Sequence, residues 1–188
     1  MKTPHLWFNP REVSERLVGS YNDEVSPDRF LFIDARPVSL GASPPSFNFV
    51  VPRSKLLKID VLPNNISVPL ISPRVASLLT EICPNDFQLV PARIYTRDLP
   101  IDDYFLLNVT AEISGMDHTR SSFKLLPGLQ EIMKVEKLQY VAGSMGNHHL
   151  AREREYEPFL WASDAIVQKF AHAKFKGYRF EPPEAIHP

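Results

Sequence analysis

The stretch Leu70-Ile71-Ser72-Pro73-Arg74-Val75-Ala76-Ser77-Leu78-Leu79, continued by Phe87-Gln88-Leu89-Val90-Pro91, carries the fold in outline. Val68 and Leu70 alternate as a short strand does. Ser72-Pro73 is a helix start. The hydroxyl can accept from a first-turn N–H, and proline loses nothing there by lacking its own. Val75, Leu78, Leu79 and Ile82 then share one helical face. Pro84-Asn85 ends the helix, and Phe87, Leu89 and Pro91 resume strand alternation.

This pattern returns without a gap near the other end of the chain. Leu70 falls on Trp161 and Ser72 on Ser163, a shift of 91 residues. Val68 falls on Phe159, Val75 on Ile166, Leu79 on Phe170, Phe87 on Tyr178, Leu89 on Phe180 and Pro91 on Pro182. Identity is mostly lost and character is kept, although Lys169 opposite Leu78 breaks the match. Ile166, Val167, Phe170 and Ala173 form the second helical face, and Gly177 is its expected stop. Each copy reads strand, cap, helix, turn, strand, and a crossover helix of this length can join parallel neighbours.

Working outward, Asn9-Pro10 with Val13, Leu17 and Gly19 predicts an N-terminal helix. Phe30-Leu31-Phe32-Ile33 predicts a strand, and Pro37 to Pro52 a long loop. Leu56 to Pro63 reads as extended. Tyr104-Phe105-Leu106-Leu107-Asn108-Val109 is the strongest strand, apolar enough to be buried on both faces. Ile113 to Phe123 reads as a polar connection. Leu129 to Val141 fits a helix at its start and a strand at its end. Gly143 to His149 reads as a loop, and the tail to Pro188 as a surface strap. The fold class expected is α/β or α+β: a mixed sheet with two related strand–helix–strand units, at about 68–91 and 159–182, and an extra N-terminal helix. Residues 1–188 are expected to form a single domain, with 1–54 as an N-terminal extension and 55–188 as a core containing the pseudo-repeat.

A chain of 188 residues with 44% hydrophobic and 23% charged residues has a globular composition. Its net charge of -1 offers no bulk attraction to nucleic acid or anionic membrane. Cys83 is the single cysteine, so no internal disulfide can form, which suits a reducing compartment. No apolar run has the length of a signal core or a membrane helix, and a cytoplasmic location is expected. Eighteen prolines against seven glycines imply stiff turns at element boundaries.

Chemical motifs are weak throughout. His148-His149 lacks zinc-site spacing, and a polar loop explains it. Gly143-Ser144-Met145-Gly146 lacks the ending of a phosphate loop. Cys83, beside an apolar helix face, reads as a packed thiol. Asp117-His118 with Ser121 and Ser122 holds hydrolase-like residue types, but sequence neighbours seldom build a nucleophile–base pair. The expectation is a non-enzyme without cofactor or metal. One alternative is a small hydrolase or transferase site assembled from Asp117, His118 and His148 or His149. Another is an adaptor module. Asp98, Asp102 and Asp103 cluster in a turn before the strong strand, where they could steer a basic partner.

The ordered set Asp60-Val61-Leu62-Pro63, Pro69-Leu70-Ile71-Ser72-x-Arg74-Val75-x-x-Leu78-Leu79, Phe87-x-Leu89-Val90-Pro91-Ala92 and Tyr104 to Val109 suggests a family. Asp117-x-x-x-Ser121 and Ser163…Gly177-Tyr178-x-Phe180-x-Pro182 complete it. Over roughly residues 55–183 the chain resembles the bacterial polymorphic-toxin immunity proteins of the immunity MXAN type. That resemblance implies a small protein that binds a cognate toxin and occludes it, with no catalytic residues to carry over. The exposed positions expected to make contact are Asp98, Asp102 and Asp103, Phe47 and Phe49 in the proline-rich loop, and His148 and His149. The toxin's activity and the oligomeric state stay open.

Overall fold

The computed structural model describes residues 4–39, 41 and 43–186. Leu40 and Ala42 of the expected loop, and the last two residues of the expected strap, lie outside them. In the first half run β1 (Pro4–Phe8), β2 (Ser20–Tyr21), β3 (Ser46–Asn48), α1 (Arg53–Leu56) and β4 (Val61–Leu62). The first repeat follows as β5 (Leu70–Ile71), α2 (Pro73–Ile82) and β6 (Phe87–Pro91). Then come β7 (Arg93–Tyr95), β8 (Phe105–Val109), β9 (Glu112–Ile113), β10 (Ser122–Leu125), β11 (Ile132–Lys137) and β12 (Leu150–Glu153). The second repeat closes the chain as β13 (Leu160–Ser163), α3 (Asp164–Ala173) and β14 (Arg179–Glu181). The class is α+β with mixed sheets, and both strand–helix–strand units are present.

Their strands are not direct neighbours. One sheet has the order β4-β5-β8-β6, another β14-β1-β13-β12-β9. In each, an antiparallel strand from outside the unit separates the two strands joined by the helix, β8 in the first and β1, from the other end of the chain, in the second. The registers agree residue for residue. Leu70 pairs with Leu106 and Ile71 with Phe105, as Trp161 pairs with Leu6 and Ala162 with His5. Leu89 pairs with Leu107 and Gln88 with Asn108, as Phe180 pairs with Trp7 and Arg179 with Phe8. Val61 pairs with Ile71 as Leu150 pairs with Ala162. β1 therefore plays for the second unit the part that β8 plays for the first.

The side-chain period of two sorts these strands into three cores. Val61, Ile71 and Leu107 of one sheet, and Leu150, Ala162 and Trp7 of the other, face a shared core that holds both helices through Val75, Leu79, Ile166 and Phe170. The opposite faces are covered separately. Leu62, Leu70, Val90 and Leu106 pack with Phe32, Phe47, Phe49, Leu56 and Ile94. Ala151, Trp161 and Leu6 pack with Met116, Val135, Leu138 and Tyr140.

Polar bonds tie the units together near the same points. The N–H groups of Asp60 and Val61 donate to Lys176 O at 3.0 and 2.9 Å. Those of His149 and Leu150, the matching positions, donate to Asp86 Oδ2 at 2.7 and 3.0 Å. The turn carrying Lys176 passes so close to β4 that a Cβ at Gly177 would lie 2.0 Å from Val61 O, and φ there is +93°. Only glycine suits both constraints.

Several local expectations change. The helix expected from Asn9 to Gly19 is one 3-10 turn at Glu15–Leu17. The predicted strand at Phe30–Ile33 is a 3-10 turn, Arg29–Phe32, because Asp28 accepts from Phe30 N–H and winds the chain. Leu56 ends α1 and does not begin an extended run. The Pro37–Pro52 loop contains β3, which pairs with both β2 and β7. The polar connection after Ile113 yields the start of a hairpin, and Ile132–Lys137 is a strand, resolving the ambiguity there. At the C-terminus Pro183–Ala185 forms a 3-10 turn, with Pro183 buried.

Candidate functional site

Phe47 and Phe49 lose the exposure expected of them. They are 0% and 4% exposed because Phe47 lies on the interior strand β3 and Phe49 follows it, its N–H donating to Tyr95 O at 2.8 Å, and both belong to the core beneath the first unit. Buried rings hold this face together and offer a partner no surface. The remaining expected positions stand on loops, but not as one patch.

Asp98 is an exposed turn organiser. Its carboxylate accepts from Arg53 N–H at 2.8 Å, Thr96 Oγ1 at 2.7 Å and Leu99 N–H at 2.9 Å. These donors, Arg53 first, hold its pKa down at about 2. The charged form is therefore favoured by folding. The stabilisation is complete above the ordinary value of 3.8 and is lost as pH falls toward 2. A carboxyl-carbon NMR titration is expected to show a midpoint near 2 in the wild type and a higher one in Thr96→Ala. An ordinary midpoint in both would contradict the bonding described. Asp102 faces Arg93 Nε at 3.4 Å. Asp103 lies apart, on the lip of a groove beside α2. The three acids thus have three different neighbours.

His148 and His149 stand at the seam between the units. His148 Nδ1 lies 2.7 Å from Asp86 Oδ1, and His149 Nδ1 lies 2.8 Å from Ser163 Oγ. Ser163 occupies the N-cap position of α3, yet its hydroxyl makes no cap bond. Ser72 does cap α2, accepting from Val75 N–H at 3.4 Å.

The residues considered for hydrolysis divide among separate settings. Asp117 accepts from Thr119 and from Arg120 Nε at 2.7 Å, closing a turn. Ser121 joins that turn to Gln139 through its hydroxyl. His118 Nε2 meets Glu155 Oε2 at 2.6 Å, while His148 belongs to Asp86. Among the described residues no group of three or more His, Cys, Asp or Glu side chains could hold a metal ion. No described helix is long and apolar enough to cross a membrane.

Two concavities were not legible in the sequence. A cleft of about 670 Å³ separates the β10–β11 hairpin from the turn after β12. Phe123, Leu125, Ile132 and Tyr156 line it, and His118 and Glu155 stand at it as a pair. The second is the groove that Asp103 borders. Both assemble side chains from segments far apart in the chain, so no local spacing could have announced them.

These surfaces belong to a frame of two matched units whose outer faces are padded by inserted segments. A sequence model of the Immunity protein family (Imm11) matches residues 4–185, and the chain belongs to that family. The match takes in residues 4–54, which the resemblance read from motifs had left unplaced. No curated protein matches the chain.

Proposed function

We propose that this protein binds a cognate bacterial toxin or effector and neutralises it by covering the surface the toxin works with. Membership in an immunity family is the observation that carries this reading. A rigid two-sheet frame that presents loops supports it, because loops on a stable scaffold are where binding specificity tends to sit. An occluding contact would bury on the order of 1,600 Å² in total, with a few aromatic or arginine anchors near its centre. Asp98, Asp102, Asp103, His148 and His149 are kept as proposed contacts at its margin. The reading places the protein in the cytoplasm of a cell engaged in toxin-mediated competition, without cofactor and without catalytic turnover.

Co-expression with the toxin gene lying beside its own is the test. Growth should be rescued, and the two chains should co-elute on a sizing column. Failure of both would overturn the reading.

A further inference from the structure

A groove of about 400 Å³ lies beside the start of α2 and the residues that follow α3. Lys58, Arg74, Lys174 and Lys176 line it, together with two carboxylates, Asp60 and Asp103. Their charges do not simply cancel. Asp60 is 7% exposed and already engaged: it accepts from Arg74 Nη1 at 3.0 Å and from the N–H of Lys176 at 3.0 Å. The ammonium groups of Lys58, Lys174 and Lys176 make no ion pair among the described residues, and all three residues are exposed. Asp103 is the one other carboxylate lining the groove. The groove is therefore basic on a chain whose net charge is -1.

Its geometry is held in place. Arg74 reaches from α2 to the end of α3, where Nη2 lies 3.5 Å from Ala173 O and the guanidinium sits 5.1 Å over the Phe175 ring. Lys174 caps α3 with φ at 54°, a left-handed conformation that glycine or asparagine fills more easily.

The internal match between the units indicates that the frame does not call for the three lysines. The register that sets Asp60 on His149 and Ser72 on Ser163 sets Lys58 on Asn147 and Arg74 on Ala165. It sets Lys174 on Cys83 and Lys176 on Asn85. The corresponding corner of the second unit is built without a cation at any of these four positions, and it holds the same backbone bond: Ser72 N–H to Asp60 O at 2.8 Å, Ser163 N–H to His149 O at 2.9 Å. Three exposed lysines that the matching corner does without are available to face something else.

We infer that this groove receives a carboxylate-rich segment of the partner protein. The inference rests on the toxin-binding reading and names the chemistry of the surface it meets. A nucleic acid fits less well. The groove carries carboxylates among its cations, and its aromatic Tyr104 is 3% exposed, leaving no ring for a base to stack on. A protein segment of mixed but mainly acidic character satisfies both the lysines and Asp103. Exposed cations of this kind act mainly through encounter, raising the association rate in a salt-dependent way.

The test is the triple variant Lys58→Glu, Lys174→Glu, Lys176→Glu, with Arg74 retained because it braces α2 against α3. A circular-dichroism melt should stay close to wild type. The association rate with the cognate toxin at low salt should fall by at least tenfold, on the order expected for lost steering, and its decline with added salt should flatten. A triple Lys→Gln variant should fall between the two. Unchanged association in the folded triple variant overturns the inference. Should the wild type itself fail to bind the toxin, the immunity reading fails first, and the groove is judged by small probes. In an NMR titration, an octaglutamate peptide should shift the amides of residues 58, 174 and 176 in the wild type and not in the triple variant. No shift, or an equal response to inorganic phosphate alone, overturns it.

Discussion

Removing residues 1–9 is expected to leave a chain that no longer unfolds as one cooperative unit. β1 is the strand between β13 and β14, so its loss takes from β14 the one strand it pairs with among the described residues and from β13 one of its two neighbours. It also removes Leu6, 0% exposed, from one core and Trp7, 6% exposed, from another. Trp7 meets Phe170 and Phe180 edge-on, each at 5.2 Å between ring centroids. Trp7→Ala alone should cost about 3–5 kcal/mol. That is a large part of the roughly 5–15 kcal/mol by which a domain is stable. Urea unfolding followed by far-UV circular dichroism checks both variants. A sharp transition near the full-length midpoint in the truncated chain would mean that the N-terminal residues are an appendage. It would also remove our proposal that they belong to a single domain with the rest.

Arg152→Ala is expected to destabilise by about 3 kcal/mol, and Arg152→Met by about 1 kcal/mol or less. Arg152 is 1% exposed and among the largest fully buried side chains. Its guanidinium donates to Glu157 O and to Phe32 O, both at 3.2 Å, and so links β12 to the turn at Arg29–Phe32. Burial pulls its pKa down to about 10, the mark of a charge that has lost its water. Alanine leaves a cavity and two carbonyls without these donors. Methionine leaves the carbonyls but fills much of the volume and removes the desolvated charge. Equal losses in the two variants, read from urea midpoints, would assign the effect to the two hydrogen bonds and contradict this division.

How far the fold could be read in advance follows from the range of each interaction. The two repeats were legible because cap, helical face and strand alternation are all set within a few residues. Ser72, Pro73, Val75 and Leu79 announce α2 by themselves. The turn at Arg29–Phe32 departs from its sequence pattern, in which four successive apolar residues, Phe30 to Ile33, resemble a buried strand. The Asp28 carboxylate that winds them is a local signal of the turn. β1 has little local signature, because its pairing partners β13 and β14 lie at the other end of the chain. Phe47 and Phe49 looked exposed because prolines surround them, yet β2 and β7 pair on either side of β3.

The site was much less legible. Asp86 gathers His148 and the N–H groups of His149 and Leu150 from more than sixty positions away. The basic groove joins Lys58 and Arg74 to Lys174 and Lys176, and nothing between them in the chain hints at the meeting.

Taken alone, the amino-acid order determined that this chain carries two strand–helix–strand units of like character, because side-chain period and capping act over one or two turns. Which strand lies inside each unit, which aromatic rings are interior, and which charges share a groove were decided by the tertiary structure. Strand pairing and charge proximity depend on distance in space, and residues 4–8 reach the interior of the second sheet from the opposite end of the chain.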